Sequence, residues 1–549
     1  TEIYTLSLHD ALPICSITFP SKAKATYTYS AQTGRLSAIA LNGQSFITNI
    51  TYNPFGAVAG WTALGQTVAR TFDLDGRMTA QEHGADDLAL TYDDADRITD
   101  IVKPGTAEAF AYDPASRLTD YAAGSTAKSY TLDPNGNRTG MNVNGTPFTY
   151  GVDAGSNRLL SLATGGSSLA YAYDQTGNLT EVAGNRFDYG ANRRLARVTQ
   201  GANVTNYAVN GLGLRVGKTG AGAPNGAAFY MYDEQASLIG EYTLVKGNLT
   251  PSQEILWLPA SATGSLAIPV GVIKNGALYA ITPGHLGEPI RITNAAGQLV
   301  WSWDHEPFGN KSPNENPSGL GPFTFNLRFP GQYYDAETGL FYNVNRDYDP
   351  TTGRYVQVDP IGLAGGINPY GYALQNPISF TDPSGKVIPL WAIAFVATYV
   401  LTSGPANAPG LNEPIYPPEP FDPALNALFA ASLVAPIEGA LAAAKGGQCA
   451  AEEGMQLYRV FGGEARGLGK YYTTVNPSTL SNFRTTAGLY PGNTGQFLLE
   501  GTLNNTEGVI LRTAARGPGG VGGGLPEVFV PNPGVQVNIT TVSGVNPPF

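Results

Sequence analysis

Arg346, Asp347, Asp359 and Asp382 lie in one tract of the sequence, and their types suit peptide hydrolysis. Paired carboxylates can cut an amide when one ionised Asp activates water and one protonated Asp donates. The three aspartates are candidates for those two roles, and Arg346 is available to hold one of them ionised. Asp-Pro pairs are also ordinary turn residues, and that plainer reading is preferred for Asp349. His285 and His305 flank the tract, but no carboxylate or cysteine stands at ligand spacing around them, so hydrogen-bonded structural roles and no metal site are expected.

A second set of candidates is defined by what the tail lacks. Residues 449–549 contain no histidine and no aspartate. Metal nucleases, His-dependent ribonucleases and Ser-His-Asp or Cys-His hydrolases need those side chains as ligands or bases. What remains is chemistry built on Arg, Ser/Thr/Tyr and Glu. The glycine-rich run 517–524 suits a phosphate cradle or a flexible loop; without a following helix or a GK[ST] signature the loop reading is preferred.

The elements that must carry these groups are β-strands. Glycine at 68, proline at 40 and tyrosine at 30, with only 14% charged residues, favour many short strands joined by turns. An aromatic-Asp-x-x-Gly-Arg-Leu-Thr pattern recurs at Tyr29, Tyr52, Phe72, Tyr92, Tyr112, Leu132, Tyr173 and Tyr232, with a 20-residue spacing from 52 to 132. Each unit reads as strand, turn, strand, with the aromatic ending a strand and the Asp/Asn/Gly cluster turning the chain. One such hairpin cannot bury its apolar face, whereas stacked units can. A propeller blade needs about 40 to 50 residues, twice this period.

The net charge is -11, and the six basic and six acidic residues after position 448 leave the whole excess on the repeat region. No basic stripe for nucleic acid is present. Two cysteines, Cys15 and Cys449, give neither a disulfide framework nor zinc spacing. Residues 1–14 resemble a translated sequencing adapter, so 1–15 are set aside as an artefact, the natural N-terminus is expected to be missing, and His9 and Cys15 are not read as functional.

The repeats, and the compound motif from FPGQYYDAETGL through RDYDP and DPIGL to TDPSG, resemble the Rhs/YD-repeat toxin family over residues 16–386. That resemblance implies a mainly β fold: a spiralling β-sheet shell, here incomplete, with repeats at 16–280 and a core-terminal autocleavage region at 281–386. It implies aspartyl self-cleavage by Arg346, Asp347, Asp359 and Asp382, with the cut near Lys386, where the family usually has Leu. A junction at 387–448 would follow. Its apolar run 387–403 is at the lower edge of a membrane span, with packing inside the shell preferred, and its 404–423 stretch is Pro-rich.

The small α+β effector domain expected at 449–549 resembles the ADP-ribosyltransferase core. The resemblance implies that Arg459 grips the phosphates of NAD, that Tyr472, Thr473 and Thr474 shape the nicotinamide pocket, and that Glu527 stabilises the oxocarbenium-like transition state. A related NAD glycohydrolase fold is the other form of this reading. Leu525 stands where the family has a second acid. The partners implied are a cognate immunity protein, secretion-system components and a target-cell substrate, in a protein secreted, delivered to target cells or held at the cell envelope. Two alternatives stay open: a structural cell-surface YD-repeat protein with a non-catalytic cap, and a toxin of another chemistry such as a nuclease.

Overall fold

The computed structural model describes residues 14–30, 32–84, 87–260, 266–386, 447–448, 456–463, 471–473, 477, 493–505, 510–513, 526–531 and 533–544. Of the segments singled out above, residues 1–13, the 387–446 part of the junction, and the 517–524 run lie outside them. The chain divides into two compact units, Asn49–Glu438 and Thr1–Thr48 with Gly439–Phe549.

In the larger unit, consecutive strands from Val58–Ala63 to Leu299–Ser302 pair antiparallel with their sequence neighbours. The repeat anchors end strands as expected: Gln66–Phe72, Leu88–Tyr92, Thr106–Tyr112 and Thr126–Leu132 each stop on one. At each anchor the register shifts by a bulge, which strengthens the local twist and curls the ribbon. The following Asp holds the turn. Asp93 accepts the backbone N–H of Ala95 at 2.9 Å and of Arg97 at 3.0 Å, and Arg97 returns a side-chain bond at 2.7 Å.

Coupling between units explains the 20-residue period. Arg97 lies over the Tyr112 ring at 5.2 Å and donates to the Asp113 carbonyl at 3.0 Å, while the Tyr112 hydroxyl donates to the Ile98 carbonyl at 2.7 Å. Arg77 over Tyr92 and Arg117 to the Asp133 carbonyl repeat the pattern. Early strands meet late ones through side chains: Gln81 donates to the Pro283 carbonyl at 2.8 Å and Thr293 to Gln66 at 3.3 Å. Among the described residues no backbone ladder closes this junction, so the sheet is open.

The tract after Ser302 fills the ribbon's apolar face. Trp303, Phe325, Phe329, Tyr348, Tyr355 and Tyr372 are fully or almost fully buried and share a core with Ile255, Val272, Ile281 and Ile292 from the ribbon. Phe308 and Ile378 join the 88–130 strands, and Leu340 and Val356 join the 179–207 strands. Burying side chains of this size contributes roughly 1.5–3 kcal/mol each, so the ribbon and its filling stabilise one another. Within the tract, Tyr333–Tyr334, Phe341–Asn343, Arg346–Asp349 and Arg354–Tyr355 pair in that order as a short antiparallel sheet.

In the smaller unit, Ile14–Thr18 pairs with Lys24–Tyr29 and with Gly447–Gln448. Cys15 is disulfide-bonded, which the cysteine count had not suggested; Cys449 lies outside the described residues. The tail forms two three-stranded sheets, Gln456–Gly463 with Asn493–Leu503 and Val537–Gly544, and Tyr471–Tyr472 with Pro526–Phe529 and Ile510–Thr513. Among its described residues, the helical part of the expected α+β fold amounts to the single turn Pro533–Gln536.

Candidate active site

The short sheet of the filling tract positions the candidate carboxylates. Arg346 and Asp347 are neighbours on the strand Arg346–Asp349, so their side chains leave opposite faces. Arg346, 3% exposed, places one terminal nitrogen 2.9 Å from Asp359 and 3.0 Å from Asp382. Its remaining donors are used on backbone: Nε on the Gly385 carbonyl at 2.7 Å and Nη1 on the Pro369 carbonyl at 3.1 Å. Its guanidinium also lies 3.6 Å from the centre of the Tyr355 ring. A fork of donors held this way fixes the two carboxylates relative to the chain that follows them.

Asp382 is an acceptor on every side. It takes the Tyr355 hydroxyl at 2.9 Å, the Lys386 backbone N–H at 3.0 Å and the Ser384 hydroxyl at 3.3 Å, besides Arg346. Asn343 donates to both the Tyr355 hydroxyl and the Asp382 carbonyl at 2.8 Å, and Asn345 donates to the Ser384 carbonyl at 2.8 Å. Gly385, at φ 65°, passes so close to the Asn343 carbonyl that a side chain has no room. The chain is thus clamped up to Lys386.

Asp359 is less occupied. Its Oδ1 accepts the Ile361 N–H at 3.0 Å and its Oδ2 faces Arg346. Burial raises its proton affinity, and the neighbouring Asp382 adds to this against the pull of Arg346 and Lys386. One guanidinium thus faces two buried carboxylates.

The structure thus brings Arg346, Asp359, Asp382 and the Lys386 backbone together and sends Asp347 elsewhere. Asp347 accepts Gln357 Nε2 at 2.6 Å, while Gln357 accepts the Asp347 N–H at 2.7 Å. It lines a small cavity with Tyr207, Arg215 and Tyr342. Burial pushes its carboxyl up to about 6, against the Gln357 bond. Asp349 caps its own turn through Thr351 and Thr352, as preferred from sequence.

Tyr355, Asn343 and Gln357 were not read from the sequence. Asn343 ends one strand and pairs with Arg346 across the two-residue turn Val344-Asn345, a hairpin the sequence did not announce. Glu288 was also missed: it sits 3.1 Å from His305 and 4.0 Å from His285, whose other nitrogen meets the Ile378 carbonyl at 2.9 Å. No group of three metal-ligating side chains forms among the described residues.

In the tail, Arg459 on Gln456–Gly463 lies 5.8 Å from the centre of the Tyr472 ring. Tyr458 and Thr473 exchange backbone bonds at 2.8 Å. Tyr472 pairs with Val528, the chain neighbour of Glu527, and Glu527 pairs with Arg512 on the adjoining strand. Burial raises the Tyr472 hydroxyl, opposed by Arg459. Thr474 lies outside the described residues.

Residues 106–373 match the family described as Teneurin YD-shell. Among curated proteins, the chain is 46% identical over 114 residues to the toxin protein Tse5 of Pseudomonas aeruginosa, covering 21% of this chain and 8% of that protein. It is 29% identical over 252 residues to the double-stranded DNA deaminase toxin A of Burkholderia cenocepacia, covering 42% of this chain and 17% of that protein. The chain therefore spans only a small part of these relatives' length. Among solved structures, the Tc holotoxin pore of Photorhabdus luminescens shares the fold at a TM-score of 0.53 and 17% identity, over 67% of this chain and 20% of that one.

Proposed function

We infer that the chain is part of an Rhs/YD-repeat polymorphic toxin, and we propose that its β shell severs itself after Lys386 to release the segment that follows. The observation that carries this is the meeting of Asp359 with Lys386: a single point beside Gly365 lies 2.5 Å from the Asp359 Oδ2 and 3.1 Å from the Lys386 carbonyl oxygen. A carboxyl whose proton affinity is raised by burial, beside a clamped peptide carbonyl, is the arrangement that general-acid hydrolysis needs. Arg346 and Asp382 hold that geometry, and Asp347, on the opposite strand face, sits beyond it. Chain synthesised in a cell-free extract should be cut to a product ending at Lys386, whereas Asp359→Asn should stay whole on a gel. Cutting that persists in Asp359→Asn would exclude the aspartyl assignment.

For the released part, the proposal is an effector that uses NAD, as an ADP-ribosyltransferase or an NAD glycohydrolase. The support is that two small sheets bring the strand positions of Arg459, Tyr472, Thr473 and Glu527 to neighbouring places from widely separated stretches of sequence. Arg459 would bind the NAD phosphates, and the Glu527 carboxylate would oppose the positive charge that develops at the anomeric carbon. The cut preparation incubated with NAD should release nicotinamide, and Glu527→Ala should not. Equal release from both would remove this reading. The likeness to a DNA deaminase toxin favours a second reading, an effector acting on nucleic acid, which conversion of a DNA probe by the same preparation would reveal.

An immunity protein and delivery machinery are the partners this class of toxin implies, with action in a target cell. No helix among the described residues is long and apolar enough to cross a membrane.

A further inference from the structure

The turn that follows Asp359 holds a glycine whose backbone does not require one. Gly362 and Gly366 have φ of 60° and 129°, in the region that favours glycine, but Gly365 between them does not share it. What excludes a side chain at Gly365 is its surroundings. A Cβ there would fall 2.5 Å from Asp359 Oδ2, 3.0 Å from Asp359 Cγ and 3.1 Å from the Lys386 carbonyl oxygen. The first of these is closer than a carbon atom tolerates. The glycine hydrogen therefore faces the Asp359 carboxyl and the carbonyl of the scissile bond, both packed too closely for a side chain.

We propose that Gly365 is a positioning residue for the cut at Lys386, its missing side chain keeping open the path along which Asp359 exchanges protons with that peptide. The inference rests on the self-cleavage reading above. In the step it serves, Asp359 gives its proton to the Lys386 carbonyl oxygen as water bonds to the carbonyl carbon, and the water's proton passes to the vacated carboxylate. Asp359 then protonates the Val387 nitrogen as the C–N bond breaks, and it regains a proton from the collapsing diol. One water is consumed, a Lys386 carboxyl and a Val387 amine are formed, and Asp359 ends as it began.

A methyl group at this position would push Oδ2 away, and Oδ2 is the oxygen that Arg346 faces at 2.9 Å. Both the alignment of the proton and the hold of Arg346 on Asp359 would suffer. Because the protonated carboxyl is the active form, cutting falls as pH rises through the Asp359 pKa. Arg346 lowers that pKa, so loosening it moves the fall to higher pH.

The test is Gly365→Ala in the full chain, made in a cell-free extract, with cutting followed on gels from synthesis onward across a range of pH. The expected result is cutting slowed on the order of 100-fold, the loss expected from a displacement of about 1 Å, with the alkaline fall shifted upward and a melting temperature matching that of uncut Asp359→Asn. Cutting at the wild-type rate overturns the proposal. So does slower cutting with an unmoved pH profile, or loss of the cooperative melt, since either assigns the glycine to the fold alone. If Asp359→Asn itself is cut, the self-cleavage reading fails; if it stays whole while Gly365→Ala cuts normally, only the role of the glycine fails.

Discussion

In the repeat ribbon, Asp93 and Arg97 are four residues apart, their side chains 25% and 23% exposed, and the pair recurs with the repeat as Asp73 with Arg77 and Asp113 with Arg117. In the filling tract the same two residue types meet across 120 positions: Asp335 holds Arg215 at 2.5 Å and Lys218 at 2.8 Å, with all three almost wholly buried. The rim pairs shape turns that water also solvates. The buried cluster joins ribbon to filling and has no solvent to replace a lost partner. An identical pairing therefore acts locally in one region and globally in the other.

The largest effect should follow from breaking the buried cluster. Asp335→Ala removes the acceptor that Arg215 and Lys218 share and leaves Glu337, 2.9 Å from Lys218, as the remaining ion-pair partner of that lysine. Removing one member of a buried charge cluster destabilises by about 3–5 kcal/mol. The uncut Asp359→Asn chain is the background to use, with the denaturant midpoint as readout; an unchanged midpoint would show that the ribbon holds without its filling.

Asp347 should give a smaller effect of opposite sign. Burial pushes its folded pKa up to about 6, above the unfolded value of about 3.9. The folded state therefore binds more protons between these values. The associated stability is fully present below about pH 4 and lost as pH rises through about 6. The loss amounts to roughly 3 kcal/mol at neutral pH, from about 1.4 kcal/mol per pKa unit. Asp347→Asn, which keeps an acceptor for Gln357, should melt higher than its parent at pH 7.5 and no higher at pH 4. A constant difference across that range would mean that Asp347 does not titrate in the folded chain.

Asp347 also marks where reading the sequence stopped. The ribbon was legible because its couplings are local and periodic: an arginine reaches the aromatic and the carbonyl of the next unit, so the contacts reappear as a spacing. The trio of Arg346, Asp359 and Asp382 was legible as a motif. That Arg346 and Asp347 diverge follows from strand geometry, but only once the tract is known to be a strand. The Arg215 to Asp335 contact leaves no spacing to find, and Gly365 contributes an absent side chain, which composition cannot distinguish from any other turn glycine.

The smallest effect is expected at the rim, where the local character of the repeat can be tested directly. Asp93→Ala removes the partly exposed ion pair with Arg97, worth about 0–1 kcal/mol, and the turn bonds to Ala95 and Arg97, each worth about 1 kcal/mol net. Because the neighbouring units retain their own Asp-Arg turns, the change should remain within the hairpin and the Arg97 contact to Tyr112, as in a stack stabilised by nearest neighbours. Hydrogen exchange should speed up across 88–118 while the strands near 255–292, which share the buried core with the filling, keep their protection. Faster exchange in both places would mean that the rim pairs, like Asp335, support the whole assembly, and the distinction between the two regions would fall.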